Sequence, residues 1–98
     1  MSNVTQSEFR DTFTQSHSYK NNFSYDGLTA LYEWFQDLED DTGEPIQFDM
    51  VGICCDFTEY ESIDEFNRDY GENFKTIDDI EETTVIKIDD ERFIIQAY

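Results

Sequence analysis

The sequence predicts an α+β domain: a three-stranded, mainly antiparallel sheet with one main amphipathic helix packed on a face and one or two short helices. Three observations predict it. Leu28, Leu31, Tyr32, Phe35 and Leu38 recur at spacings of three and four, residues 46–57 form an apolar run, and two apolar stretches flank the acidic turn Asp89-Asp90-Glu91. With 98 residues, 38% hydrophobic and 16% aromatic, the chain has room for a single core and is too apolar for a disordered acidic segment.

The first 22 residues are polar, and two readings compete for them. Ser7 followed by Glu8-Phe9-Arg10-Asp11 caps a short helix with Phe9 and Phe13 on one side, or the segment is a mobile arm. From Ser24, an N-cap residue, the apolar stripe runs to about Asp41, and Gly43 follows as the helix terminator. Residues 46–57 read as a central strand bearing Val51 and Ile53, because the middle of the run is apolar on both faces; Gly52 marks a bulge or a close helix contact. Ser62 to Tyr70 reads as a short helix, with Ser62 and Glu65 as a capping box, Gly71 as its end, and Ile63, Phe66 and Tyr70 inward. Residues 77–82 add one further turn, and residues 83–88 pair with residues 92–98 as a closing hairpin.

Charge is the outlying quantity. The formal net charge is −18, against the magnitude of about 2 to 8 that keeps a small domain soluble. Residues 1–25 sum to zero, so all of the excess lies beyond them, and no Lys or Arg occurs between Lys20 and Arg68. Self-repulsion on this scale destabilises a compact state. Glu39, Asp40 and Asp41 also crowd the C-terminal turn of the main helix, where the macrodipole disfavours negative charge. Two readings compete for such a conflict between local preference and sequence: a surface kept for function, or an acidic helix end that merely solvates the domain.

Several chemistries are excluded. His17 has no nucleophile at a recognisable spacing, and the four glycines form no phosphate loop. Asp37 to Gly43 fails as a calcium loop, because its Gly falls at the seventh position and Phe48 stands at the twelfth. Cys54 and Cys55 are adjacent, which disfavours a zinc site or a structural disulfide, and reduced, buried thiols are expected. The chain is therefore expected to be non-enzymatic, with no cofactor and no metal. It lacks the pattern of a signal peptide at Met1–Gln6 and any apolar run long enough to span a bilayer, so a cytoplasmic location is expected.

Direct nucleic-acid binding is opposed by the electrostatics, since affinity for a phosphate backbone comes from cations. Inverted, the same physics points to a basic nucleic-acid-binding partner whose Lys and Arg the carboxylates occupy. Carboxylates three and four apart on a helix stand about 5 to 6 Å apart, similar in scale to neighbouring phosphates. Glu33, Asp37, Glu39, Asp40, Asp41 and Glu44 form the candidate acidic surface, continued by Glu59, Glu61, Asp64 and Glu65. Trp34 and Tyr60 are the candidate aromatic contacts, and an interaction protein that binds through exposed aromatics is the alternative reading. Either a monomer or a dimer is compatible with this pattern.

The segment from Phe23 to Tyr60 resembles small acidic proteins encoded by bacteriophages and prophages. The likeness rests on Thr42-Gly43-Glu44, on Cys54-Cys55-Asp56-Phe57-Thr58-Glu59-Tyr60 and on the closing Phe93-Ile94-Ile95-Gln96-Ala97-Tyr98, and it leaves residues 1–22 outside. In that setting such proteins include anti-CRISPR and anti-restriction inhibitors that occupy DNA-binding clefts. The resemblance implies a DNA-mimicking inhibitor of a CRISPR or restriction effector, acting in the cytoplasm of a bacterial host.

Overall fold

The computed structural model describes residues 4–97. Four α-helices, a 3-10 turn and three strands follow one another as α1 (Gln6–Thr14), α2 (Tyr25–Thr42), α3 (Met50–Asp56), β1 (Phe57–Tyr60), α4 (Ile63–Tyr70), the 3-10 turn Ile77–Asp79, β2 (Val85–Lys87) and β3 (Phe93–Gln96). The sheet order is β1-β3-β2, antiparallel throughout, with Phe57 opposite Gln96 and Tyr60 opposite Phe93 on one side, and Ile86 opposite Ile94 on the other. The α+β architecture expected from the sequence is the one observed.

The central strand is β3. Phe93, Ile94 and Ile95 each have 0% exposure, which a three-residue stretch of alternating side chains achieves only when both faces of the sheet are covered. Ile94 joins Phe9, Phe13, Leu28, Leu31, Phe35 and Ile86 beneath α1 and α2. Phe93 and Ile95 join Tyr60, Phe66, Ile77 and Ile80 beneath α4 and the 3-10 turn. Burying side chains of this size stabilises the fold by roughly 1.5–3 kcal/mol each.

The run 46–57 does not form the expected central strand. Residues 46–49 carry no regular structure, Met50–Asp56 is helical, and the strand begins only at Phe57, on the edge of the sheet. A short apolar run fits a strand or a helix turn equally well, and here local capping decides it. The Asp49 carboxylate accepts a hydrogen bond from the Gly52 amide at 3.2 Å, opening α3. Ile53 and Phe57, four residues apart, then point into the core while Val51 is 48% exposed. Gly52 is neither a bulge nor a helix contact; it lies in the first turn of α3, where the Asp49 carboxylate fills the space a side chain would take.

The N-terminal segment forms the short helix, starting earlier than expected. The cap is Thr5, not Ser7: Thr5 Oγ1 accepts from the Glu8 amide at 3.2 Å and Glu8 accepts from the Thr5 amide at 3.3 Å, a reciprocal capping box. Phe9 and Phe13 are buried against each other, 5.1 Å between ring centres, and against Tyr32 and Phe48. Helix α2 begins and ends where its caps indicated, with Ser24 accepting from the Gly27 amide at 3.0 Å and Gly43 in the left-handed conformation at φ 70°. In α4, Ser62 caps the Glu65 amide at 3.3 Å and Gly71 terminates the helix at φ 66°. The hairpin is present over residues 85–96, and Tyr98, expected at its end, lies outside the described residues.

The hairpin turn is organised by Asp89, whose Oδ1 accepts from the amides of Glu91 at 2.9 Å and Arg92 at 2.6 Å and whose Oδ2 accepts from Arg92 Nε at 2.7 Å. The Arg92 amide and side chain, with the Glu91 amide, lower the Asp89 carboxyl to about 2. A carboxyl with a depressed folded pKa adds stability above its unfolded value, and that contribution disappears as the pH falls toward about 2. An Asp89→Ala chain should accordingly be less stable than the parent at pH 7, with the difference vanishing near pH 2, as read by urea unfolding across pH.

The N-terminus of α2 is tied to β1 by Glu59. Its Oε1 accepts from the Ser24 amide at 2.9 Å and from Ser24 Oγ at 3.1 Å, placing a carboxylate at the positive end of the helix. Gly27 makes this approach possible, because a methyl group there would run into the Glu59 carboxylate. Gly27→Ala should displace Glu59 and lose charge-assisted bonds of roughly 1.5–3 kcal/mol, against about 1 kcal/mol gained in helix propensity. The net destabilisation of about 1 kcal/mol should be relieved in a Glu59→Ala background, where the clash with the carboxylate is gone and only the close Ser24 Oγ remains at 3.2 Å; urea unfolding of the four chains measures both.

Candidate acidic interface

Helix α2 sets out its carboxylates by periodicity. At about 100° per residue, Asp26, Glu33, Asp37 and Asp40 fall within an arc of roughly 60° on the side opposite the buried Leu28, Leu31 and Phe35. Asp41 and Glu44 continue this row around the end of the helix, and all six side chains are exposed. The row rises about 21 Å along the axis from Asp26 to Asp40. Asp26 was not among the sequence candidates, although its place seven residues before Glu33 put it on the same face.

Three of the positive side chains are engaged away from the stretch Glu33 to Glu44. Arg92 pairs with Asp26 at 2.8 Å and with Asp89 at 2.7 Å, and Lys87 pairs with Asp78 at 2.6 Å. Arg10 lies over the Tyr25 ring, 4.6 Å from its centre, and donates to Thr29 at 3.4 Å. Among the described residues, no ion pair reaches Glu33, Asp37, Asp40, Asp41 or Glu44. Neighbouring carboxylates about 6 Å apart repel by about 0.7 kcal/mol in water before salt screening.

The remaining acidic candidates do not extend this row. Glu59 is half-buried and engaged in capping α2. With Glu61 and Glu65 it lines a depression of about 340 Å³ that also contains Lys20, at the N-terminal end of α2. Asp64 is exposed in the first turn of α4. The depression with Glu59, Glu61 and Glu65 adjoins Ser24, roughly 24 Å along the axis of α2 from Asp40. Glu39 is half-buried and lies off the row. The candidates therefore divide into two patches, and the stretch of the outer face of α2 from Glu33 to Glu44, beyond the Arg92-paired Asp26, is met by no ion pair among the described residues at Glu33, Asp37, Asp40, Asp41 or Glu44.

The aromatic candidates also separate. Tyr60 is a core residue with 4% exposure; its hydroxyl donates to Asp69 at 3.0 Å, and burial together with that carboxylate pushes its pKa above the usual tyrosine range. It has no surface to offer a partner. Trp34 is half-buried, edge-on to Phe35 at 5.0 Å and Phe57 at 5.7 Å, beside the acidic row. The thiols are free, but the expectation that both are buried fails. Placed on α3 instead of a strand, Cys55 is exposed and Cys54 is half-buried, with its pKa raised by burial. Among the described residues, no group of three or more His, Cys, Asp or Glu could hold a metal ion, and no helix is long and apolar enough to cross a membrane.

Carboxylates at the C-terminal end of α2 oppose its dipole and one another. Asp40→Asn and Asp41→Asn should each raise stability by about 0.3–1 kcal/mol at low ionic strength, with the gain shrinking in about 1 M salt, as measured by thermal unfolding. No protein-family model, curated protein or solved structure matches this chain.

Proposed function

We propose that the protein presents the outer face of α2 to a basic, nucleic-acid-binding protein and competes there with the phosphate backbone. The observation that carries this reading is the exposed row Glu33, Asp37, Asp40, Asp41 and Glu44, which no described cation neutralises. A groove that binds nucleic acid offers lysines and arginines with few local counter-charges. Docking the row into such a groove replaces repulsion between carboxylates with attraction to cations, and both changes favour the complex. The resemblance to small phage and prophage proteins directs the search toward CRISPR and restriction effectors, with this chain as the inhibitor. The alternative, binding through exposed aromatics, loses one of its two candidates because Tyr60 is buried.

The test is displacement of DNA from basic CRISPR or restriction complexes at low and at physiological salt. Bound DNA should be released, and the apparent affinity should fall steeply with salt. A chain carrying Glu33→Gln, Asp37→Asn, Asp40→Asn and Asp41→Asn should be at least as stable as the parent and weaker as a competitor by about tenfold or more. DNA binding left unchanged in every complex, or an equally effective neutralised chain, overturns the reading.

A further inference from the structure

Beside the acidic row, between α2 and α3, is a depression of about 380 Å³. Trp34, Leu38, Ile46 and Ile53 supply apolar walls, Asp49 and Asp56 supply charge, and no lysine or arginine lines it. Such a volume lies at the small end of binding pockets, which span roughly 300–1,000 Å³. Trp34 and Leu38 project from α2 on the flank of the row that holds Asp37 and Asp41, so one partner segment can cover both features. Glu44 and Pro45 lead directly from the end of the row to Ile46.

We propose that this depression receives an arginine side chain of the basic partner, with the guanidinium against Trp34 and the carboxylates of Asp49 and Asp56 as its counter-charge. This rests on the reading of the α2 row given above and adds to it the chemistry of one contact. An arginine has an apolar stem and a planar cation that stacks on an indole, which matches apolar walls bordered by carboxylates. Lysine has the charge without the planar face. A second copy of this chain is a poor occupant, because two bodies of net charge −18 repel.

Trp34 is the sole tryptophan, so its fluorescence reports on the site directly. Hexa-arginine and hexa-lysine peptides would be titrated into the full chain at physiological salt. Hexa-arginine should shift the Trp34 emission and bind about tenfold more tightly than hexa-lysine, the scale of a cation–π contact. In the Asp49→Asn, Asp56→Asn chain that preference should disappear with the circular dichroism unchanged, because asparagine still caps α3. Neutralising Asp37, Asp40 and Asp41 should weaken both peptides alike and keep the preference. Equal binding of the two peptides with a silent Trp34 overturns the arginine site and leaves the proposed function standing. Failure of both peptides to bind even at low salt overturns the proposed function and the site with it.

Discussion

The double-sided burial of β3 holds the molecule together. Phe93, Ile94 and Ile95 have no exposed surface: β1 and β2 pair along the edges of β3, while the helices and the 3-10 turn cover its two faces. The demand is unusually strict here, because a body of net charge −18 gains little cohesion from its surface and is pushed apart by it. The aromatic residues meet that demand. Phe66 packs face to face on Tyr70 at 4.7 Å between centres and edge-on to Tyr60 at 5.4 Å, while Phe13 meets Phe23 edge-on at 5.7 Å. Large rings bury much area per residue, and a short chain can assemble enough core from few of them.

Glu59 shows how the fold assigns different work to similar carboxylates. From the edge strand it reaches the start of α2, where the helix dipole and the Ser24 donors stabilise a negative charge. At the other end of the same helix Asp40 and Asp41 meet the opposite sign of the dipole and have no described cation nearby. One carboxylate strengthens the fold and the others weaken it, by amounts that are small singly and add along the row. That asymmetry is the physical ground on which the outer face of α2 is proposed as the partner-binding surface.

Hydrophobic and charged features also meet along α2. Trp34 and Leu38 turn from the core toward the depression against α3, while Asp37 and Asp41 on adjoining positions face water. A surface of this kind combines long-range attraction, which screens with salt, and short-range contact, which does not.

Local chemistry in the sequence was enough to determine α2, α4 and the hairpin, since Ser24, Gly43, Ser62 and Gly71 each satisfy or end a backbone hydrogen-bond ladder within a few residues. The clustering of Glu33, Asp37, Asp40 and Asp41 on one side of α2 was equally legible, being a consequence of helical periodicity alone. Only the tertiary structure decided that β3 takes the central place expected of residues 46–57, that Tyr60 is buried, and that Glu59, Glu61 and Glu65 stand apart from the α2 row. Each of those outcomes depends on contacts between residues distant in the chain, such as Phe57 opposite Gln96 and Glu59 against Ser24. Periodicity within a short window carries no information about which distant partner will cover a face.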